Sequence, residues 1–253
     1  MRIRCLTTGV VREKAGERGI TRYLVERWRA ETLPVNAFLV EHRDGLLLFD
    51  TGQTARAANP GYLPRWHPFL RLSRFELDPG DEVAAQLGGL GIAPGDVRWV
   101  VLSHLHTDHV GGLDEFRDGE VLVSRVEWER GSGFGGRVRG YLPQYWPPGL
   151  EPRLLDLDDE GFGPFPGSYD VAGDGSLLMV ATPGHTPGHA SLLVHRAEGD
   201  VLLAADLAHT RADLDRIAPS IALYCRERGI AVASAHDVSA GEAVAASLGR
   251  PHT

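Results

Sequence analysis

Ten consecutive residues, 103–112, read SHLHTDHVGG and gather His104, His106, Asp108 and His109 into six positions. Imidazole and carboxylate side chains together form a ligand set for a borderline divalent cation, zinc first, with Fe(II), Mn(II) or Co(II) as alternatives. The spacing has a geometric meaning. His104 and His106 stand two apart and project to the same side of an extended segment, whereas a turn begun at Thr107 and Asp108 brings His109 round to a second position. Gly111 and Gly112 permit tight backbone geometry before the next element. Three histidines in six residues are poorly explained as ordinary core or surface positions, so the stretch is read as a metal site.

One loop cannot complete such a site. Three further segments carry candidate ligands: TPGHTPGHAS holds His185 and His189 in a Gly/Pro turn, LLAAD ends in Asp206, and VASAHD delivers His236. Each follows an apolar run, so four strand-like runs present His or Asp at an end, where active-site residues gather. Taken singly, His185, Asp206 or His236 could be a satisfied buried polar residue. It is the joint pattern that favours ligands, and spacing alone does not separate His185 from His189. His42, His67, His195 and His252 lack this context and read as surface or packing histidines.

The elements that must position these residues show as short apolar runs bounded by Gly, Asp and Pro: RIRCLTTGVV, VNAFLV, LLLFD, RWVVLS, VLVS, LLMVAT, ASLLVH, DVLLAA and IAVASA. Several are apolar at almost every position, as expected of strands covered on both faces. Helices are expected in DPGDEVAAQLGGLGI, where Val83 and Leu87 share a face and paired glycines close the segment, and in SAGEAVAASLG. A third, RADLDRIAPSIALYCRERG, should be interrupted near Pro219. Residues 59–75 and 128–148 are rich in aromatics, Pro, Gly and Arg and show neither period. They read as long loops, either binding lids or segments whose aromatics pack them down or form a subunit interface.

A chain of 253 residues can bury a sizeable core as a single domain, residues 1–253, without disulfide staples. Its 43% hydrophobic and 24% charged residues are a globular composition, which excludes a disordered or fibrous chain. A formal net charge of −8, with no dense Lys/Arg cluster, argues against nucleic acid as a partner. No run approaches the roughly 20 apolar residues that span a bilayer, and MRIRCLTTGVVREK lacks a signal-peptide core. No membrane association is therefore expected, and the chain reads as cytoplasmic. Cys5 and Cys225 form no CxxC pattern and fit two buried small residues.

With LLLFDTG, SHLHTDHVGG, TPGHTPGH, LLAAD and SAHD in this order, the chain resembles the metallo-β-lactamase superfamily over nearly its whole length. The resemblance implies an α/β (α+β) fold: a four-layer αβ/βα sandwich of two mixed sheets with helices outside and a metal site between the sheets. It also implies two divalent ions. One would be held by His104, His106 and His185, the other by Asp108, His109 and His236, with Asp206 bridging them. His189 and Asp50 would then support the ligand loops through hydrogen bonds that orient imidazoles. Class B β-lactamases usually place a cysteine in the second metal site, and neither Cys5 nor Cys225 lies in a ligand segment.

Within the superfamily the layout is similar to the N-acyl homoserine lactonases: VNAFLVEH, LLLFDTG, a Pro/aromatic insert, a helix ending LGGLGI, then the metal loop. That branch implies hydrolysis of a small-molecule lactone or ester by a hydroxide bridging two metals, with Asp108 orienting the nucleophile. Trp66, Phe69, Trp128, Tyr141, Tyr145 and Trp146 would close over an acyl chain. Members of the branch carry a tyrosine three residues after the bridging aspartate. This chain has His209 there, an imidazole able to donate the same hydrogen bond to a developing oxyanion. The alternative enzyme is a glyoxalase II-like thioesterase, the alternative from another class a metal-stabilised scaffold protein, and a homodimer is an admissible assembly.

Overall fold

Strands that are apolar at every position need cover on both faces, and two stacked sheets flanked by helices supply it. The computed structural model describes residues 1–13, 31–62, 73–133, 135–157 and 161–246. The strands of the first sheet are β1 (Arg2–Glu13), β2 (Leu33–His42), β3 (Gly45–Phe49), β4 (Ser73–Glu76), β5 (Val97–Val101), β6 (Glu120–Ser124) and β7 (Arg153–Leu155), in the order β4-β1-β2-β3-β5-β6-β7. Pairing is antiparallel from β4 through β3 and parallel from β3 through β7. The second sheet comprises β8 (Ser168–Asp170), β9 (Leu177–Ala181), β10 (Ala190–Val194), β11 (Val201–Ala205) and β12 (Ala231–Ser234), in the order β12-β11-β10-β9-β8. Only its β11–β12 pair is parallel.

Side chains alternate across each strand, and both sets are buried. Phe38, Val40, Leu47, Phe49, Trp99 and Val101 of the first sheet meet Leu177, Met179, Leu192, Val194, Val201 and Leu203 of the second. On the outer face of the first sheet, Ala37, Leu39, Leu48, Val100 and Val123 lie against Val83 and Leu87 of α1 (Val83–Gly89). Two further helices punctuate this half, α2 (Thr107–Val110) and α3 (Arg125–Ser132). On the outer face of the second sheet, Leu193, Leu202 and Ala204 pack under Leu214 of α4 (Arg211–Ile217) and under Ile221, Ala222 and Cys225 of α5 (Pro219–Glu227). α6 (Ala240–Ala246) inserts Ala240 and Val244 into the core between the sheets. The layers therefore run helix, sheet, sheet, helix, the sandwich expected from the sequence.

Each of the apolar runs forms a strand, and the break before Pro219 falls between α4 and α5, where Ala218 leaves helical geometry at φ −135°. The loop assignments change. Residues 73–75 belong to β4, and residues 128–132 belong to α3, followed by short 3₁₀ turns at Gly136–Arg139 and Pro143–Tyr145. Several of their described aromatics pack against one another or into the core. Trp128 stacks on Trp146 at 5.2 Å, Tyr62 on Tyr145 at 4.1 Å, and Tyr141 and Trp146 join the outer core of the first sheet. Trp66, Phe69, His67 and His252 lie outside the described residues. Cys225 is buried, Cys5 only partly so, and neither is in a disulfide. Among the described residues no helix is long and apolar enough to cross a membrane.

β10 is the central strand of the second sheet, with Leu192 paired between Met179 and Leu203 and fully buried. Leu192→Ala is expected to cost about 2–5 kcal/mol of unfolding free energy, the usual range for a large-to-small core change. Val238→Ala, at a site 83% exposed, should stay within about 0.5 kcal/mol. Urea denaturation of the two variants beside the wild type checks both values.

Candidate metal centre

The chain leaves both sheets at the same end. β3 runs into Asp50, β5 into Ser103 and His104, β9 into the turn holding His185, β11 into Asp206, and β12 into His236. After β5, α2 is a single helical turn, and it docks on residues 50–54 through Thr51 N–H to His109 O and Gly111 N–H to Gly52 O, both 2.8 Å. Gly111 and Gly112 have ordinary φ values of −61° and −89°. What they permit is close approach: a Cβ on Gly111 would lie 2.6 Å from Thr54 N, and one on Gly112 2.6 Å from Thr51 O. Asp50 and Ala205 adopt left-handed backbone, φ 61° and 46°, which non-glycine residues rarely hold. Each sits where a strand must turn sharply toward the cluster.

His104, His106 and His185 converge tightly. His104 Nε2 lies 3.1 Å from His106 Nδ1, which lies 3.0 Å from His185 Nε2. The opposite ring nitrogens are committed elsewhere. His104 Nδ1–H donates to Ser103 Oγ at 3.0 Å, and His106 Nε2–H to the Arg139 carbonyl at 3.3 Å. The inward nitrogens of these two rings therefore carry lone pairs. His109 and His236 also turn Nδ1–H away from the cluster: His109 Nδ1–H donates to Asp50 Oδ2 and His236 Nδ1–H to the Pro34 carbonyl, each at 2.8 Å. Asp50 is also tied to the loop through the Ser103 N–H and hydroxyl, both at 2.8 Å.

Asp206 stands between two groups of donors. Its Oδ2 faces His185 Nε2 at 3.4 Å and His104 Nε2 at 4.0 Å, whereas Oδ1 faces His109 Nε2 at 3.2 Å and His236 Nε2 at 3.4 Å. Asp108 approaches His236 Nε2 at 3.7 Å from the other side. His109 Nε2 and Asp206 Oδ1 are buried and, despite their proximity, not aligned as a hydrogen bond; among the described residues neither has another hydrogen-bond partner. Such orphaned buried atoms are costly unless a cation joins them. Ligand atoms about 2.0–2.1 Å from a tetrahedral zinc stand about 3.3 Å from one another, close to the separations here. The donor set fits a divalent metal ion, as His104, His106 and His185, as His104, His109 and Asp206, or as Asp108, His109 and His236.

The electrostatics agree with the geometry. Burial and the neighbouring imidazoles hold His104 well below its ordinary pKa, and burial with His185 nearby brings His106 to about 4. For His109 burial works against the charged form, but Asp206 and Asp50 outweigh it and hold the pKa well above its ordinary value. At His236 burial is likewise outweighed, by Asp206 and Asp108, leaving it at about 9. Burial disfavours the Asp206 carboxylate, yet His236, His109 and His185 together keep it ionised. Carboxylates that favour a proton on His109 and His236 favour a metal cation in the same place.

His185 and His189, which spacing does not separate, lie on different sides of Asp206. His185 Nε2 faces the cluster, whereas His189 lies behind it, accepting the Asp206 N–H on Nε2 at 3.2 Å and donating Nδ1–H to Thr182 O at 3.1 Å. Burial, then His185, lowers the pKa of His189 to about 3, so it stays neutral and keeps this tautomer. His209 is half-buried on the wall of a cavity of about 70 Å³ over the cluster, its ring 5.2 Å from that of His236. Val11, Leu33 and Phe75 share that wall. A roomier apolar cavity of about 330 Å³, lined by Leu155, Pro166 and Pro187, lies near His189 and holds none of the converging ligands. Sequence reasoning passed over Ser103, the Pro34 and Arg139 carbonyls and the apolar wall. Ser103, a hydroxyl beside His104 at a strand exit, was the only one with a readable signal.

Residues 30–240 match the family model of the metallo-beta-lactamase superfamily. The N-acyl homoserine lactonase AttM of Azorhizobium caulinodans is 35% identical over 193 residues, covering 70% of this chain and 66% of that protein. An N-acyl homoserine lactonase of a Bacillus species is 31% identical over 188 residues, with 74% and 69% covered. The chain thus spans about two thirds of the length of these curated relatives. Among solved structures, an N-acyl homoserine lactone hydrolase with N-hexanoyl-L-homoserine at its catalytic metal centre matches with a TM-score of 0.73 over 94% of both chains at 23% identity. AidC, a dizinc quorum-quenching lactonase, matches with 0.62 over 94% of this chain and 88% of that one at 18% identity. At such identities the solved structures establish a common fold. The family match crosses every converging histidine and aspartate, and the fold is the same, so this chain belongs to the metallo-beta-lactamase superfamily.

Proposed function

We propose that this chain is a hydrolase that opens lactone rings, N-acyl homoserine lactones foremost, at a centre of two divalent ions, with zinc the ion best suited to the donors. The observation that carries the reading is Asp206, whose two oxygens face different groups of imidazoles within 3.2–3.4 Å, the arrangement a bridging ligand needs. The lactonase relatives supply the substrate class. His104, His106 and His185 would hold one ion, Asp108, His109 and His236 the other, and Asp206 both.

When bound, such a centre supplies a water of lowered pKa and polarises the substrate carbonyl. The chain's own residues do the rest. Asp108, at the cavity wall, accepts the proton of the attacking water and returns it to the leaving ring oxygen. His209 donates a hydrogen bond to the carbonyl oxygen as it becomes anionic. Val11, Leu33 and Phe75 shield the ring and the start of the acyl chain from water. Residues 1–253 would act as one hydrolase domain that forms a homodimer in the cytoplasm, a compartment suited to cysteines such as Cys5 and Cys225 that form no disulfide.

A panel of N-acyl homoserine lactones of graded acyl length, simple lactones, thioesters and phosphodiesters tests the reading by initial rates. Lactones should lead, and a thioester turned over faster than every lactone would sink it in favour of a thioesterase. Asp206→Ala should lower bound metal, counted by elemental analysis, and reduce kcat/KM by at least about a thousandfold. His209→Phe should retain wild-type metal content and lose about 10²–10³ in kcat, the usual cost of one oxyanion donor. An unchanged rate on the best lactone would remove His209 from the chemistry.

A further inference from the structure

Glu127 is a carboxylate with no solvent exposure and no part in the chemistry proposed above. It lies in the first turn of α3, whose N-cap Ser124 accepts the Glu127 N–H at 3.1 Å. Ser124 and Glu127 have the S-x-x-E spacing of a capping box, in which the glutamate folds back on its own helix terminus. Here the side chain reaches outward instead. Oε1 accepts the Leu105 N–H at 3.1 Å, and Oε2 accepts the Thr186 hydroxyl at 2.7 Å and the Gly188 N–H at 3.2 Å. Leu105 is flanked by His104 and His106, and Thr186 directly follows His185.

One buried carboxylate therefore joins the main chain of the two loops that carry His104, His106 and His185. Several contacts hold this junction. The Ser124 hydroxyl donates to the Gly188 carbonyl at 2.6 Å, and the loop comes so close to α3 that a Cβ on Gly188 would lie 2.2 Å from Glu127 N. Tyr141 pairs its backbone with His106, lays its ring 5.2 Å from that imidazole, and keeps its hydroxyl protonated through burial and the adjacent Glu127. His109 and His236 are oriented from elsewhere, by Asp50 and the Pro34 carbonyl.

We infer that Glu127 is a positioning residue for one ion of the pair: it fixes His185 relative to His104 and His106, and so governs how firmly the ion shared by those three is retained. The inference rests on the two-ion reading above. A carboxylate accepting several N–H and O–H bonds cannot be replaced by an amide without turning a donor toward donors, so Glu127→Gln strains both loops at once.

The test dialyses the zinc-loaded full chain against graded chelator, counting zinc per folded chain and following folding by circular dichroism. Wild type should hold two ions. Glu127→Gln should release one ion at a chelator concentration at least tenfold lower and retain the other as in wild type. Adding His185→Ala should release nothing further, whereas adding His236→Ala should empty the chain. Thr186→Val should loosen the same ion, and Thr186→Ser, which keeps the hydroxyl, should restore it; this pair decides the matter if Glu127→Gln fails to fold. Unchanged retention in both Glu127→Gln and Thr186→Val, or equal loosening of both ions, overturns the proposal alone. A wild-type chain that holds a single ion overturns the two-ion reading and this proposal with it.

Discussion

His104 Nε2 and His106 Nδ1, 3.1 Å apart with both outer N–H groups engaged, turn lone pairs toward the same point, a contact that costs energy until a cation or a proton lies between them. Like-polarity atoms repel at that distance, and buried ones lose water as well. The remainder of the structure holds this contact in place. Each of His104, His106, His109 and His236 has its outer N–H engaged by a hydroxyl, a carboxylate or a main-chain carbonyl, so no ring can rotate to relieve the crowding without leaving a donor unpaired. Asp206 supplies the compensating negative charge between the two groups, and a cation placed there turns repulsion into coordination.

The two-sheet sandwich matters because it delivers these residues from separate strands to one rim. The parallel neighbours β3 and β5 leave the first sheet side by side, as β11 and β12 leave the second, so four chain exits converge where the sheets open. The left-handed residues Asp50 and Ala205 sit at two of those exits. Strain of this kind persists only where surrounding packing over-determines it, and the buried strands ending at Phe49 and Ala205 provide that packing.

Much of this was legible in the sequence. β9, β10 and β11 announce themselves because both faces are covered and nearly every position must be apolar, and the ligand types stand out because each follows such a run. What escaped did so for physical reasons. β7 and β8 are three residues long, too short to establish a period. β4 reads SRFE and has no fully buried residue. α3 carries no apolar stripe: of RVEWERGS only Glu127 and Gly131 are buried, so the helix is seated by a carboxylate, and its sequence resembles a loop. The layout of the family, and not the spacing, pointed to His185 over His189.

The acceptors that orient the histidines differ in kind. Pro34 and Arg139 act through carbonyl oxygens, so any residue that keeps the same main-chain path leaves His236 and His106 undisturbed; drift at those positions is invisible to the rings. Asp50 and Ser103 act through side chains and are bonded to each other, with Ser103 next to His104 and Asp50 next to His109. A single inherited change in that pair would reach both halves of the cluster together. Of the acceptors bonded to these four rings, Asp50 and Ser103 are the pair whose side chains tie the two halves of the cluster to each other.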